Sequence, residues 1–153
     1  MVRRLLIVSA ACLVLVSACD PRPCPGTCDP LEVGARIAGD SATNCGRALF
    51  GTDASPVQSC MATEFAAGRP FFGVVEQAGP SGATLLRGFI RNNGGQLREF
   101  VGSHIGTRTL VDTRFCLAAM VMGATLVCTN EMDGLHVECD CAGSSDAGQG
   151  ADL

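Results

Sequence analysis

The chain has 153 residues, a size that holds one domain at most, with 11 cations, 15 acids and a formal charge of −4. All 11 cations are Arg and all seven aromatics are Phe, since Lys, Trp and Tyr are absent. The missing Lys excludes a P-loop phosphate contact and a Schiff base, and the missing Tyr and Trp remove the usual stacking platforms for sugars and single strands. The acidic balance argues against nucleic acid as a partner.

In chain order, Arg3-Arg4 opens a basic segment, and Leu5 to Ala18 is an apolar run of fourteen residues. A bilayer-spanning helix needs about 20, so the run fits a signal-peptide core over 1–18. It ends Leu15-Val16-Ser17-Ala18-Cys19. An aliphatic residue, small residues and then Cys resemble the lipobox of bacterial lipoproteins. That resemblance implies cleavage before Cys19, a diacylglyceryl thioether on its thiol with room for a third, palmitate-type acyl chain on its new α-amino group, and attachment to a membrane facing periplasm or exterior. The other reading is a plain secretory signal.

Ten Cys are present. Cys12 leaves with the signal and Cys19 is the lipid site. Cys24, Cys28, Cys45, Cys60, Cys116, Cys128, Cys139 and Cys141 remain, and an even set in an exported domain reads as a disulfide framework. Spacing alone leaves its connectivity open. The mature chain carries nine Arg against fifteen acids, a charge of −6.

Residues 19–35 hold four of the seven prolines and read as a Pro-rich tether. A disulfide-rich domain over 36–141 follows, then a Gly/Ser/Asp tail over 142–153 expected to be disordered. Within the domain, 36–52 should carry a first strand. Residues 55–67 should form a helix with Ser55 as N-cap, Pro56 in the first turn, Gln58 completing a capping box, and Gly68 past the end. Val57, Cys60, Met61 and Phe65 share one face of it. Residues 71–77 read as a strand. A hairpin over 84–101 turns at Asn93-Gly94, with Ile90 opposite Leu97 and Leu86 opposite Val101. Those four residues make its inner face, leaving Arg87, Phe89, Arg91, Arg98 and Phe100 outside. Residues 105–111 and 115–121 are further strands. A second hairpin over 124–141 turns at Asp133-Gly134 and sets Cys128 opposite Cys139.

The stretch from Cys45 to Cys128 also resembles a small domain of exported lipoproteins from GC-rich bacteria. Cys45-Gly46, Ser55-Pro56 opening a helix that holds Cys60, Ala66-Ala67-Gly68-Arg69-Pro70 and Asp112-Thr113-Arg114 before a late Cys carry the resemblance. It implies a helix packed on an antiparallel sheet and a Cys45–Cys60 bridge, and no activity.

The expected fold is therefore α+β, one helix on an antiparallel sheet of four to six strands, stabilised by disulfides. The chemistry is sparse. Cys128, His136, Cys139 and Cys141 could be written as a zinc set, but the hairpin register points His136 away from the Cys, so no metal and no cofactor are expected. Glu131, His136, Glu138 and Asp140 read as a solvated strand face. Ser103 and His104 adjoin, yet neighbours on a strand face opposite ways, so no catalytic set is assigned. The candidate surface is the patch Arg87, Phe89, Arg91 and Arg98, where Arg beside exposed Phe suits a protein partner. The sequence expectation is a membrane-anchored envelope lipoprotein with a non-catalytic binding or structural role. The alternatives are an exported hydrolase using His104 and a secreted protein inhibitor.

Overall fold

The computed structural model describes residues 28–106, 108–132 and 136–141. The signal segment, Cys19, Cys24 and the tail lie outside these residues.

The described residues open with a helix. Asp29 accepts the Leu31 amide on its side chain at 2.7 Å, and Pro30 occupies the first turn, giving α1 (Pro30–Ala38). Glu32 in the first turn and Arg36 in the last complement the helix dipole. The expected tether over 19–35 thus gives way at Asp29, because the same prolines that favour extended chain also suit a helix start. Cys28, Val33 and Ala38, before and around the expected boundary at 36, pack in the core.

After β1 (Thr43–Ala48) comes α2 (Ser55–Ala66). Its first residue is Ser55, as expected, but the capping is different. Ala54 is the cap residue, and the Asp53 side chain instead accepts the Ser55 amide at 2.9 Å, so the Ser55–Gln58 capping box does not form. The end is as expected: Gly68 takes a positive φ of 70°, its amide bonds Phe65 O, and the Arg69 amide bonds Glu64 O.

The strands β2 (Phe71–Ala78), β3 (Thr84–Arg91), β4 (Leu97–Ile105), β5 (Arg108–Met122) and β6 (Thr125–Glu131) follow, with β7 (His136–Cys141) last. The sheet runs β1-β2-β3-β4-β5-β6, and β7 pairs with β5. All pairings are antiparallel except β1 with β2, which the α2 crossover makes parallel. The architecture is α+β with a mainly antiparallel sheet, as expected, and has two helices where one was expected.

Three further expectations change. The 105–111 and 115–121 strands are one strand of 15 residues. The 84–101 hairpin is slipped by one residue: Arg91 faces Leu97, Ile90 faces Arg98 and Leu86 faces Gly102. The turn is longer than Asn93-Gly94 alone; the Asn92 amide bonds Gln96 O, and the Asn92 side chain accepts the Gln96 amide at 2.9 Å. A slip of one residue exchanges the faces of β4 against β3. Finally, β6 and β7 do not form a hairpin. Each pairs with β5, β6 along Cys116–Met122 and β7 along Thr109–Thr113.

Both faces of the sheet are consequently covered. Beneath α1, Val33 and Ala38 pack with Phe72, Val74, Leu86, Ile90, Phe100 and Val111. Gly34 lies so near the Phe72 ring that an added Cβ would sit 2.9 Å from it. On the other face, Val57 and Met61 of α2 pack with Phe71, Val75, Phe89, Leu97 and Leu126. Burial of this kind contributes about 1.5–3 kcal/mol per large apolar side chain before entropy is counted.

Cys45 is bonded to Cys60, with Cα atoms 5.5 Å apart, which locks β1 to α2 as the resemblance implies. Cys116 is bonded to Cys128, Cα atoms 5.7 Å apart. The expected Cys128–Cys139 facing pair is thereby replaced. Cys28 is disulfide-bonded as well.

Candidate functional site

The expected patch of Arg87, Phe89, Arg91 and Arg98 is not one surface. Phe89 is 7% exposed, inside the core beneath α2. Strand alternation puts Arg87, Phe89 and Arg91 on the α2 face. The observed register sets Arg98 opposite Ile90, on the α1 face, where its guanidinium lies 4.6 Å from the centre of the Phe115 ring. Arg91 donates to Phe65 O at 3.2 Å and lies over the Phe65 ring. Arg91 thereby ties β3 to α2, and Arg98 ties β4 to β5.

Arg87 belongs to a charged chain across the α2 face. It meets Glu99 at 3.3 Å, and Arg114 Nε donates to the same carboxylate at 2.7 Å. Arg114 also reaches Glu131 at 2.5 Å. Arg114 therefore ties the sheet to the outgoing end of β6. Arg87, Glu99 and Glu131, with Gln58, Met61, Val75, Phe89 and Leu126, border a cleft of about 410 Å³ between α2 and β6.

The hairpin itself is the prominent surface feature. Gly123, with φ 64°, makes the tight turn between Met122 and Thr125. Leu126, opposite Val121, is buried in the second core. Leu117, Met120 and Met122 remain 57%, 50% and 60% exposed. An inner apolar side chain thus holds the hairpin down over α2 while its outer residues meet solvent. Periodicity in Cys116–Met122 could not find this, because the run is apolar on both sides.

A second cluster sits where β1, β2 and β4 end. Arg47 forms an ion pair with Glu76. An Arg47 nitrogen lies 3.1 Å from His104 Nε2, and His104 Nδ1 lies 2.8 Å from Thr109 Oγ1. A guanidinium only donates, so Nε2 accepts and Nδ1–H donates to Thr109. The second Glu76 oxygen accepts the Phe50 amide at 3.0 Å. Burial pushes the Glu76 carboxyl up, but the Phe50 amide, the Arg47 guanidinium and the nearby His104 outweigh it and hold it below the usual glutamate value. Around this cluster Leu49, Phe50 and Ile105 are exposed.

The Ser103, His104 and Asp112 side chains do not converge. His104 shares the α1 face with Thr84 and Thr109, whereas Ser103 and Asp112 alternate to the other. Cys128 is committed to its disulfide, which removes it from the zinc set; the side chains of His136, Cys139 and Cys141 lie outside the described residues. Among the described residues no three His, Cys, Asp or Glu gather to hold one ion, and no helix is long and apolar enough to cross a membrane.

No protein-family model matches the chain, and no curated protein and no solved structure matches it either.

Proposed function

We propose that the chain is an exported, lipid-anchored protein that binds a protein partner through the outer face of the β5–β6 hairpin. The observation that carries the binding role is the exposure of Leu117, Met120 and Met122 on a hairpin fixed at its base by the Cys116–Cys128 bond. Apolar side chains grouped on a rigid element favour association, and Met adapts to irregular partner surfaces. The anchor rests on the lipobox-like Leu15–Cys19 segment, and the disulfides suit an oxidising compartment.

Site-specific photocrosslinking in the producing cell tests this. A photoreactive residue at Met120 should give one discrete adduct, and the same residue at exposed Thr63 on α2 should not. Equal labelling from both positions, or none from Met120, would reject the hairpin as the binding face.

A further inference from the structure

The two ends of the sheet differ. At one end lies the β3–β4 turn, with Asn93 and Gln96. At the other end β1 runs into Leu49-Phe50, and β4 finishes at Ile105, so three large apolar side chains are exposed together at 54%, 60% and 64%. They are held in place from below: the Phe50 amide is bonded to Glu76, Glu76 to Arg47, and Arg47 to His104, the residue preceding Ile105. An exposed apolar group on a fixed frame is the feature to be explained.

The direction of α1 tells which way this end faces. Its C-terminal Gly39 adjoins the Asn93 side chain, and Ser41 donates to Asn93 at 2.9 Å, so α1 finishes at the turn end of the sheet. Gly34 lies over Phe72, one strand step inside that end. From Gly39 back to Gly34 the helix therefore runs inward from the turn end, towards the opposite end of the sheet. Nine residues of helix cover about 13 Å. The chain therefore enters the domain on the side of Leu49, Phe50 and Ile105. Nine peptide steps separate Cys28 from Cys19, a reach of at most about 30 Å when fully extended. A lipid on Cys19 therefore keeps the entry side of the domain within about 30 Å of the bilayer, near enough for contact.

From these observations we infer that the sheet end bearing Leu49, Phe50 and Ile105 docks on the lipid surface, setting these side chains into the headgroup boundary. The inference rests on the lipid-anchor reading above. It gives the anchored domain a fixed orientation, with the β3–β4 turn pointing away from the bilayer.

The chain has no Trp and no Tyr, so one introduced indole is the sole reporter. The variants are Phe50→Trp, Ile105→Trp and, at the opposite end, Gln96→Trp. Each protein is purified acylated from membranes and reconstituted in phosphatidylethanolamine–phosphatidylglycerol vesicles, with and without brominated chains. Bromine should reduce Phe50→Trp or Ile105→Trp emission at least twofold and leave Gln96→Trp unchanged. Quenching of Gln96→Trp alone, equal quenching at both ends, or none in a protein whose mass includes the acyl chains would overturn docking while leaving the anchor intact. A mass without acyl chains would overturn the anchor, and docking with it. Two reporters guard against one substitution that fails to fold.

Discussion

Cys116 and Cys128 are bonded although neither faces the other in register: Cys116 lies opposite Glu131 and Cys128 opposite Ala119. Two register shifts between these positions draw β6 along β5 and bring the sulfur atoms together. The bond closes a loop spanning 12 residues. A loop of this length contributes about 3 kcal/mol on the chain-entropy account. The Cys116→Ser/Cys128→Ser protein should lose stability of about that size in urea titration. Amide exchange should accelerate in β6 first and leave β2 and β3 protected.

Acid should weaken the Arg47–Glu76–His104 cluster. The folded Glu76 carboxyl titrates below its ordinary 4.5, so the unfolded chain takes up the proton first as pH falls. Its contribution is therefore complete above that ordinary value and disappears as pH drops through the lower folded one. Glu76→Gln should cost about 1–3 kcal/mol at neutral pH. The variant and the parent should converge once pH has fallen below the folded Glu76 value, itself lower than the ordinary one. Thermal midpoints measured across that range check both statements.

Gly88 is where β3 passes closest to its neighbour. A Cβ there would land on the Gly73 carbonyl oxygen, backbone that cannot swing aside. Gly88→Ala should cost about 3 kcal/mol, the upper range for overpacking. Gly94→Ala, in the exposed turn, meets only the Asn92 side chain at 3.3 Å and should remain soluble. Chemical denaturation of both proteins separates the two effects.

The outer hairpin residues should be dispensable for folding. Leu117→Ser with Met122→Ser removes exposed side chains only, so stability should change by no more than about 0.5 kcal/mol. Adsorption to a hydrophobic column should fall. A large drop in melting temperature would show that these residues are packed in solution.

Local signals found the elements with self-contained punctuation. Gly68 and Pro70 close α2, and the alternating runs on either side of Asn93 mark β3 and β4. Signals whose meaning depends on distant partners misled. Asp133-Gly134 suggests a turn joining β6 to β7, yet a 15-residue β5 offers each strand a separate pairing site. Asn92 closes a wider turn than Asn93-Gly94, which turns Phe100 to the α1 core and Leu97 to the α2 core. Pro30 reads equally as tether and helix start, and only the buried Val33 and Ala38 decide between them. The Arg patch dissolved for the same reason: alternation assigns faces, but not which face α2 will cover. His104 was legible as a chemical group, whereas its partners Arg47, Glu76 and Thr109 come from three other strands.

Both described bridges join cysteines that are neighbours in the sequence, Cys45 to Cys60 and Cys116 to Cys128. An oxidant acting on the growing chain meets each partner before any later thiol of the domain competes for it. Oxidation in chain order therefore spares these four positions competition from later thiols, whereas a fully reduced chain, with every thiol present at once, should form these two bonds more slowly and through reshuffling.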